Sequence, residues 1–318
     1  MSDKKLKLGV SACLLGEEVR FNGGHCRNNF ITTTLSEFAD FMPTCPEQAI
    51  GMGVPREAVR LEYDANSNIL MKGSRSSTDY TEEMSSFSQS WADELNSQDL
   101  DGYILKKDSP SCGVFRVKIY KNNQVAERRG TGLFAKALMK ANPLLPIEED
   151  GRLSDPLLRE HFIERVFAYN RLKQVFNKSW SRKDIVDFHS REKLLLMAHS
   201  PKHYQQLGRL VGNLSGLSRD EFTKQYCEIY MTCLSHKASK GRHANTLCHL
   251  IGYFKKQLSP SGKKEMTETI ADYQNGLLPL AVPISLIRHL ARRFDCTYLL
   301  EQVYLDPHPK TLMLRNYT

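Results

Sequence analysis

With 318 residues, 41% of them hydrophobic and 25% charged, the chain can bury a large core and has the composition of a globular protein, not a disordered or fibrous one. Its length suggests two domains at about 150 residues each. The net charge of +8 is uneven: residues 1–150 carry a balance of −3 and residues 151–318 one of +11, so the second half suits a polyanion such as nucleic acid.

No membrane partner is expected, because the longest apolar stretch, Leu277 to Ile287, is short and broken by Pro279 and Pro283. The N-terminus MSDKKLKLGVSACLLGEE has no apolar signal core, which points to the cytoplasm. Eight cysteines in such a chain do not suggest a disulfide scaffold.

In chain order, Leu6 to Ala12, Phe38 to Thr44 and Gly102 to Lys106 read as short strands. Thr78 to Asn96 reads as a helix, with Met84, Phe87, Trp91 and Leu95 spaced by three and four. Strands alternating with helices predict an α/β domain over residues 1–150 with a mainly parallel sheet, which binds ligands beyond the carboxyl ends of its strands. Cys13, Cys45 and Cys112 each follow a predicted strand and should meet at that edge.

Helical spacing dominates from Asp155 onward and predicts an all-α domain over residues 151–318. Ser154-Asp155-Pro156 starts a helix whose stripe includes Phe162, Val166 and Leu172; Ser200-Pro201 starts another. Leu247, Leu250, Ile251, Phe254 and Leu258 form a further core stripe. Cys227, Cys233, Cys248 and Cys296 fall in such stretches, where a free cysteine behaves as a small buried hydrophobe. His199 and His203 invite a metal pairing, but Pro201 puts His199 ahead of the helical turn, and satisfied core or phosphate-contacting histidines are expected instead. Lys237, Lys240, Arg242 and His243 cluster around Gly241 in a loop-like stretch; Arg288 and Arg292 stand one turn apart; Arg191 and Lys193 add to the basic set.

The cysteines of the first half sit in Ser11-Ala12-Cys13-Leu14-Leu15-Gly16, in Cys45-Pro46-Glu47 followed by Gly51-Met52-Gly53-Val54-Pro55-Arg56, and in Lys106-Lys107-Asp108-Ser109-Pro110-Ser111-Cys112-Gly113. Spacing alone leaves a zinc site or three unrelated thiols open, since no compact C-x-x-C unit is present. As a set, however, with Asn22-Gly23-Gly24 and Gly130-Thr131-Gly132-Leu133, these stretches resemble the thiouracil desulfidase family over roughly residues 6–145. The resemblance implies a [4Fe-4S] cluster held by Cys13, Cys45 and Cys112, with one iron left open as a Lewis acid for a soft sulfur donor. It also implies catalytic roles for Glu47, as general base, and Ser109, as proton or hydrogen-bond donor. Ser111 rivals Ser109, and either serine could instead cap the turn. Cys26 matches no ligand position and reads as a free thiol near the site mouth.

The second half resembles a companion domain fused after the desulfidase domain, through His199-Ser200-Pro201, Asn245-Thr246-Leu247, Gly252-Tyr253-Phe254, Gln302-Val303-Tyr304-Leu305 and Pro307-His308-Pro309. Such fusions resemble tRNA 4-thiouridine desulfidases, which implies a thiolated pyrimidine substrate, tRNA as partner and RNA contacts from the helical domain; by charge, Arg191, Lys193, Lys237, Lys240, Arg242, Arg288 and Arg292 are the candidates for those contacts. A free thiouracil desulfidase with a structural helical domain, and a nucleic-acid-binding iron–sulfur redox sensor, are the alternatives.

Overall fold

The computed structural model describes residues 5–316, apart from the side chains of Asn96 and Ser97; the first four residues of the basic N-terminal stretch and the last two of the chain lie outside the described residues. The chain forms two compact units, Met1–Leu158 and Arg159–Thr318.

The first unit runs β1 (Leu6–Ser11), β2 (Ala39–Thr44), α1 (Pro46–Ala49), β3 (Val59–Tyr63), β4 (Ile69–Gly73), α2 (Thr81–Gln98), β5 (Gly102–Leu105), β6 (Val117–Lys121), β7 (Gln124–Gly130), α3 (Leu133–Ala141) and β8 (Ile147–Glu149). Four strands form a wholly parallel sheet in the order β2-β1-β5-β8. Apart from the exposed Lys7 at the start of β1, its central strands are buried without alternation because both faces are covered: Leu8 and Val10 of β1 and Tyr103, Ile104 and Leu105 of β5 are fully buried. Gly9 is required in β1, since a Cβ there would lie 2.1 Å from the Tyr103 ring. With β2 on one side of β1 and β5 on the other, the connections leave in opposite directions, and such a switch point opens a crevice beyond the strand ends.

A second sheet, in the order β4-β3-β6-β7, is mixed and was not expected. The turn of its β6–β7 hairpin is Asn122-Asn123, both left-handed at φ 50° and 62°, the conformation that asparagine tolerates best among residues with a side chain. β7 is largely exposed and rich in charge, so it lacks the apolar alternation that marks a half-buried strand.

All described regular structure of the second unit is helical: α4 (Pro156–Phe176), which starts just ahead of the unit boundary, then α5 (Arg182–His199), α6 (Pro201–Gly212), α7 (Arg219–Ser235), α8 (Lys240–Gly252), α9 (Pro260–Gln274), α10 (Ala281–Arg293) and α11 (Thr297–Leu300), followed by short turns. Asp155 opens α4 by accepting hydrogen bonds at Oδ1 from the Leu157 and Leu158 amides (2.9 and 3.0 Å), and Ser181 and Ser218 form capping boxes on α5 and α7. Phe222, Tyr226 and Tyr230 stack through the core, and Phe188 packs at a tilt against Tyr226 and Tyr230. Among the described residues no helix is long and apolar enough to cross a membrane.

Three local expectations are corrected. Lys240, Gly241, Arg242 and His243 form the first turn of α8, capped by Ser239, and not a loop. Cys248 is exposed, because on α8 it stands beside Leu247, about 100° around the helix from the core-facing residue. Cys227 and Cys296 are only half-buried, whereas Cys233 is buried.

Two carboxylates one turn apart on α4, Glu160 and Glu164, are buried in this helical core. Arg315 bridges them, with Nε 3.0 Å from Glu160 and Nη2 3.3 Å from Glu164. His199 Nε2 lies 2.5 Å from Glu164, and its Nδ1 lies 2.7 Å from the His236 carbonyl, so each nitrogen of this core imidazole faces an acceptor oxygen. Burial lowers His161, His189 and His243 to about 4 from an ordinary 6.5. Folding keeps these rings neutral, so the stabilisation is present above pH 6.5 and is lost as pH falls towards 4. Urea unfolding of the whole chain is expected to show the helical unit weaker at pH 5 than at pH 7, by about 1–2 kcal/mol for each of the three rings.

Candidate active site

The switch point gathers the cysteines. Cys13 sits in the helical turn after β1, and Cys45 directly follows β2 and opens α1. Cys112 stands further along, in the loop after β5. All three line one cavity of about 370 Å³, together with Glu47, Arg56, Lys106, Ser109 and Cys26. Cys13 and Cys112 are buried and Cys45 is half-buried; burial pushes the Cys13 thiol up to about 12 and raises the other two as well. Cys26 is held beside Cys13, since its amide donates to the Cys13 carbonyl at 2.9 Å.

The Cys112 loop is anchored by backbone bonds. The amides of Leu133 and Ala135, in the first turn of α3, donate to the carbonyls of Pro110 (3.1 Å) and Ser111 (3.1 Å). This close approach explains Gly132: a Cβ there would lie 2.3 Å from the Ser111 carbonyl oxygen. From the other side, the buried Glu149 accepts from the amides of Val114 (2.7 Å) and Phe115 (2.9 Å).

Glu47 is held at both oxygens. Oε2 accepts from Arg56 Nη2 (2.6 Å) and Nε (3.1 Å), and Oε1 accepts from the Ser111 hydroxyl (2.9 Å). The guanidinium is itself fixed, donating to the carbonyls of Val19 (3.0 Å) and Gly53 (3.1 Å). Ser109 Oγ accepts from the amides of Ser111 (3.2 Å) and Cys112 (3.0 Å), which leaves its own proton free to donate. The two serines thus have separate positions: Ser111 is fully buried against Glu47, and Ser109 lines the cavity while capping the loop.

Arg56 closes the second cysteine stretch, where the sequence gives it no task; its role becomes visible only when the chain folds back to pair it with Glu47. The basic residues of the helical unit are not one group. Arg242 donates to the His199 carbonyl (2.6 Å), and Arg288 to the Leu305 carbonyl (2.6 Å) and Asp306 (2.7 Å), so both guanidiniums tie chain segments together. Lys193 lies over the Tyr298 ring at 4.9 Å. Arg191, Lys237, Lys240 and Arg292 are exposed.

Residues 8–150 match the family model described as 2-thiouracil desulfurase, and residues 193–309 match a protein of unknown function, DUF1722. The chain is 30% identical to the uncharacterized protein YbgA of Escherichia coli strain K12 over 153 residues, which is 48% of this chain and 90% of that one. It is 33% identical to the uncharacterized protein YbbK of Bacillus subtilis strain 168 over 111 residues, covering 33% of this chain and 71% of that one. Among solved structures, it matches the [4Fe-4S]-dependent thiouracil desulfidase TudS with 27% identity and a TM-score of 0.38, over 47% of this chain and 94% of that one. Through its first unit the chain belongs to the 2-thiouracil desulfurase family, enzymes that cleave a carbon–sulfur bond, and it carries the helical DUF1722 domain after it.

Proposed function

We propose that the chain is a cytoplasmic tRNA 4-thiouridine desulfidase, in which residues 1–150 hydrolyse the carbon–sulfur bond and the helical domain binds the RNA. The meeting of Cys13, Cys45, Cys112 and Glu47 on one cavity carries the first part of this reading. The +11 balance of residues 151–318 supports the second.

The three thiols fit a [4Fe-4S] cluster, the cofactor on which TudS depends. They share a cavity large enough for a multi-atom group. Cys13, Cys45 and Cys112 would hold the cluster, which when bound supplies a Lewis-acidic iron with affinity for sulfur.

The chain's own groups then do the proton chemistry. Glu47 takes a proton from the water that attacks the thiocarbonyl carbon, and Arg56 and Ser111 hold its carboxylate in position. The Ser109 hydroxyl, oriented by two backbone amides, donates to the anion that develops as the carbon–sulfur bond breaks. Uridine and sulfide are the products, with no net oxidation or reduction.

Neutralising the exposed Arg191, Lys237, Lys240 and Arg292 tests the RNA assignment. Thiolated tRNA should bind more weakly, with a salt slope shallower by roughly 0.7–0.9 for each phosphate left without its cation, while turnover of free 2-thiouracil is kept. A wild-type chain that turns over free 2-thiouracil and has no salt-sensitive affinity for tRNA would establish the free base as the substrate.

A further inference from the structure

Tyr253 and Phe254 are neighbours in the Gly252-Tyr253-Phe254 stretch, and the fold gives them different surroundings. Phe254 is buried, 1% exposed, and packs against the Phe294 ring with centroids 5.9 Å apart. Tyr253, at the end of α8, is 43% exposed and stacks on Tyr298 of α11, with centroids 5.5 Å apart and ring planes 26° apart. Phe254 thus supplies the core contact of this stretch, and Tyr253 is a ring held in solvent by a second ring. Gly252 leaves the space beside it clear, since a Cβ there would meet nothing within 4 Å. Neither packing nor a left-handed backbone calls for glycine at this last position of α8, where alanine is the better helix former, whereas close approach of a ligand does. Cations flank the pair: Lys193 Nζ lies 4.9 Å from the centre of the Tyr298 ring, and the exposed Lys255 and Lys256 follow Phe254 directly.

Rigid aromatic area open to solvent, with lysines beside it, suits a single nucleic-acid strand, whose bases stack on the ring while its phosphates meet the cations. Every base has a π-face, so such a surface selects unpaired bases and not sequence. A duplex keeps its bases stacked on one another and can engage the lysines alone. We propose that Tyr253, backed by Tyr298, is a stacking platform for one unpaired base of an RNA strand, with the adjoining phosphates held by Lys255 and Lys256 and attracted by Lys193. The proposal rests on the tRNA reading above, on which the base is an unpaired one of the tRNA itself. It gives the helical domain a contact that does not depend on salt, beside the charges that do.

Fluorescence anisotropy of the whole chain with four labelled RNAs tests this: oligouridylate, its duplex with oligoadenylate, an abasic ribose-phosphate strand of the same length, and tRNA. Tyr253→Phe keeps the ring, and Tyr253→Leu keeps an apolar side chain without a π-face. The wild-type chain should bind oligouridylate more tightly than the duplex or the abasic strand. Tyr253→Leu should lose about 5- to 150-fold in affinity for oligouridylate and tRNA, the worth of one stacked base, with the salt slope unchanged. Tyr253→Phe should bind as the wild-type chain does. A variant that had lost the folded surface would also lose salt slope, so the slope separates lost stacking from misfolding. Wild-type affinity in Tyr253→Leu, an equal loss in Tyr253→Phe, or equal binding of oligouridylate and the abasic strand by the wild-type chain overturns the platform and leaves the RNA reading standing. No affinity of the wild-type chain for any of the four overturns the RNA reading and the platform together.

Discussion

Cys112→Ser is expected to yield protein without bound iron or acid-labile sulfide and with turnover at background. Cys112 is buried and its loop is pinned to the first turn of α3, so a serine there keeps the backbone but replaces a soft thiolate by a hydroxyl that binds iron poorly. Cys13→Ser and Cys45→Ser should behave alike, whereas Cys248→Ser, on the exposed face of α8, should leave iron content unchanged. Cys26→Ser should also keep the iron, although Cys26 lines the cavity. Anaerobic purification followed by iron, sulfide and absorbance measurements decides each case. Full iron content in Cys112→Ser would remove that residue from the ligand set.

Glu47→Gln is expected to keep the iron and lose about 100- to 10,000-fold in turnover, the usual weight of a general base. The amide has the shape of the carboxylate and can still accept from Ser111 Oγ at one end, yet it cannot take a proton from water. Arg56 sharpens the test. Arg56→Lys keeps a positive charge near Glu47 and loses the two-pronged bond, so it should lower kcat less than Glu47→Gln does, with iron content intact. Steady-state kinetics on free 2-thiouracil beside iron analysis distinguishes these outcomes. Near-wild-type turnover in Glu47→Gln would move the base elsewhere.

The parallel sheet and the helices were legible in the sequence because each depends on local pattern. β1, β2 and β5 fall within a residue or two of the apolar runs that predicted them, and α4 begins at the Pro156 that follows a capping Asp155. The loop after each of those strands is set by sheet topology, so the crevice shared by Cys13, Cys45 and Cys112 also followed from the order of elements. The second sheet is not legible in the same way, because its strands are partly exposed and two of them, β3 and β7, mix charged with apolar residues, while the β6–β7 hairpin rests on turn residues instead of apolar alternation.

What the chain alone determined was therefore composition, charge asymmetry, the periodic elements and the residue types of the cysteine stretches. Which side chains pair across long separations was decided only by the tertiary structure. Glu47 and Ser111 are 64 positions apart and meet at 2.9 Å; Glu164 and Arg315 are 151 apart and meet at 3.3 Å. Arg242 and Arg288 looked like surface charges by composition, and the fold turns both inward to bond carbonyls, while Arg191, Lys237, Lys240 and Arg292 stay in solvent. The physical reason is common to all these cases: helix and strand patterns report neighbours two to four residues away, whereas a hydrogen bond between distant residues exists only after the core has brought their backbones together.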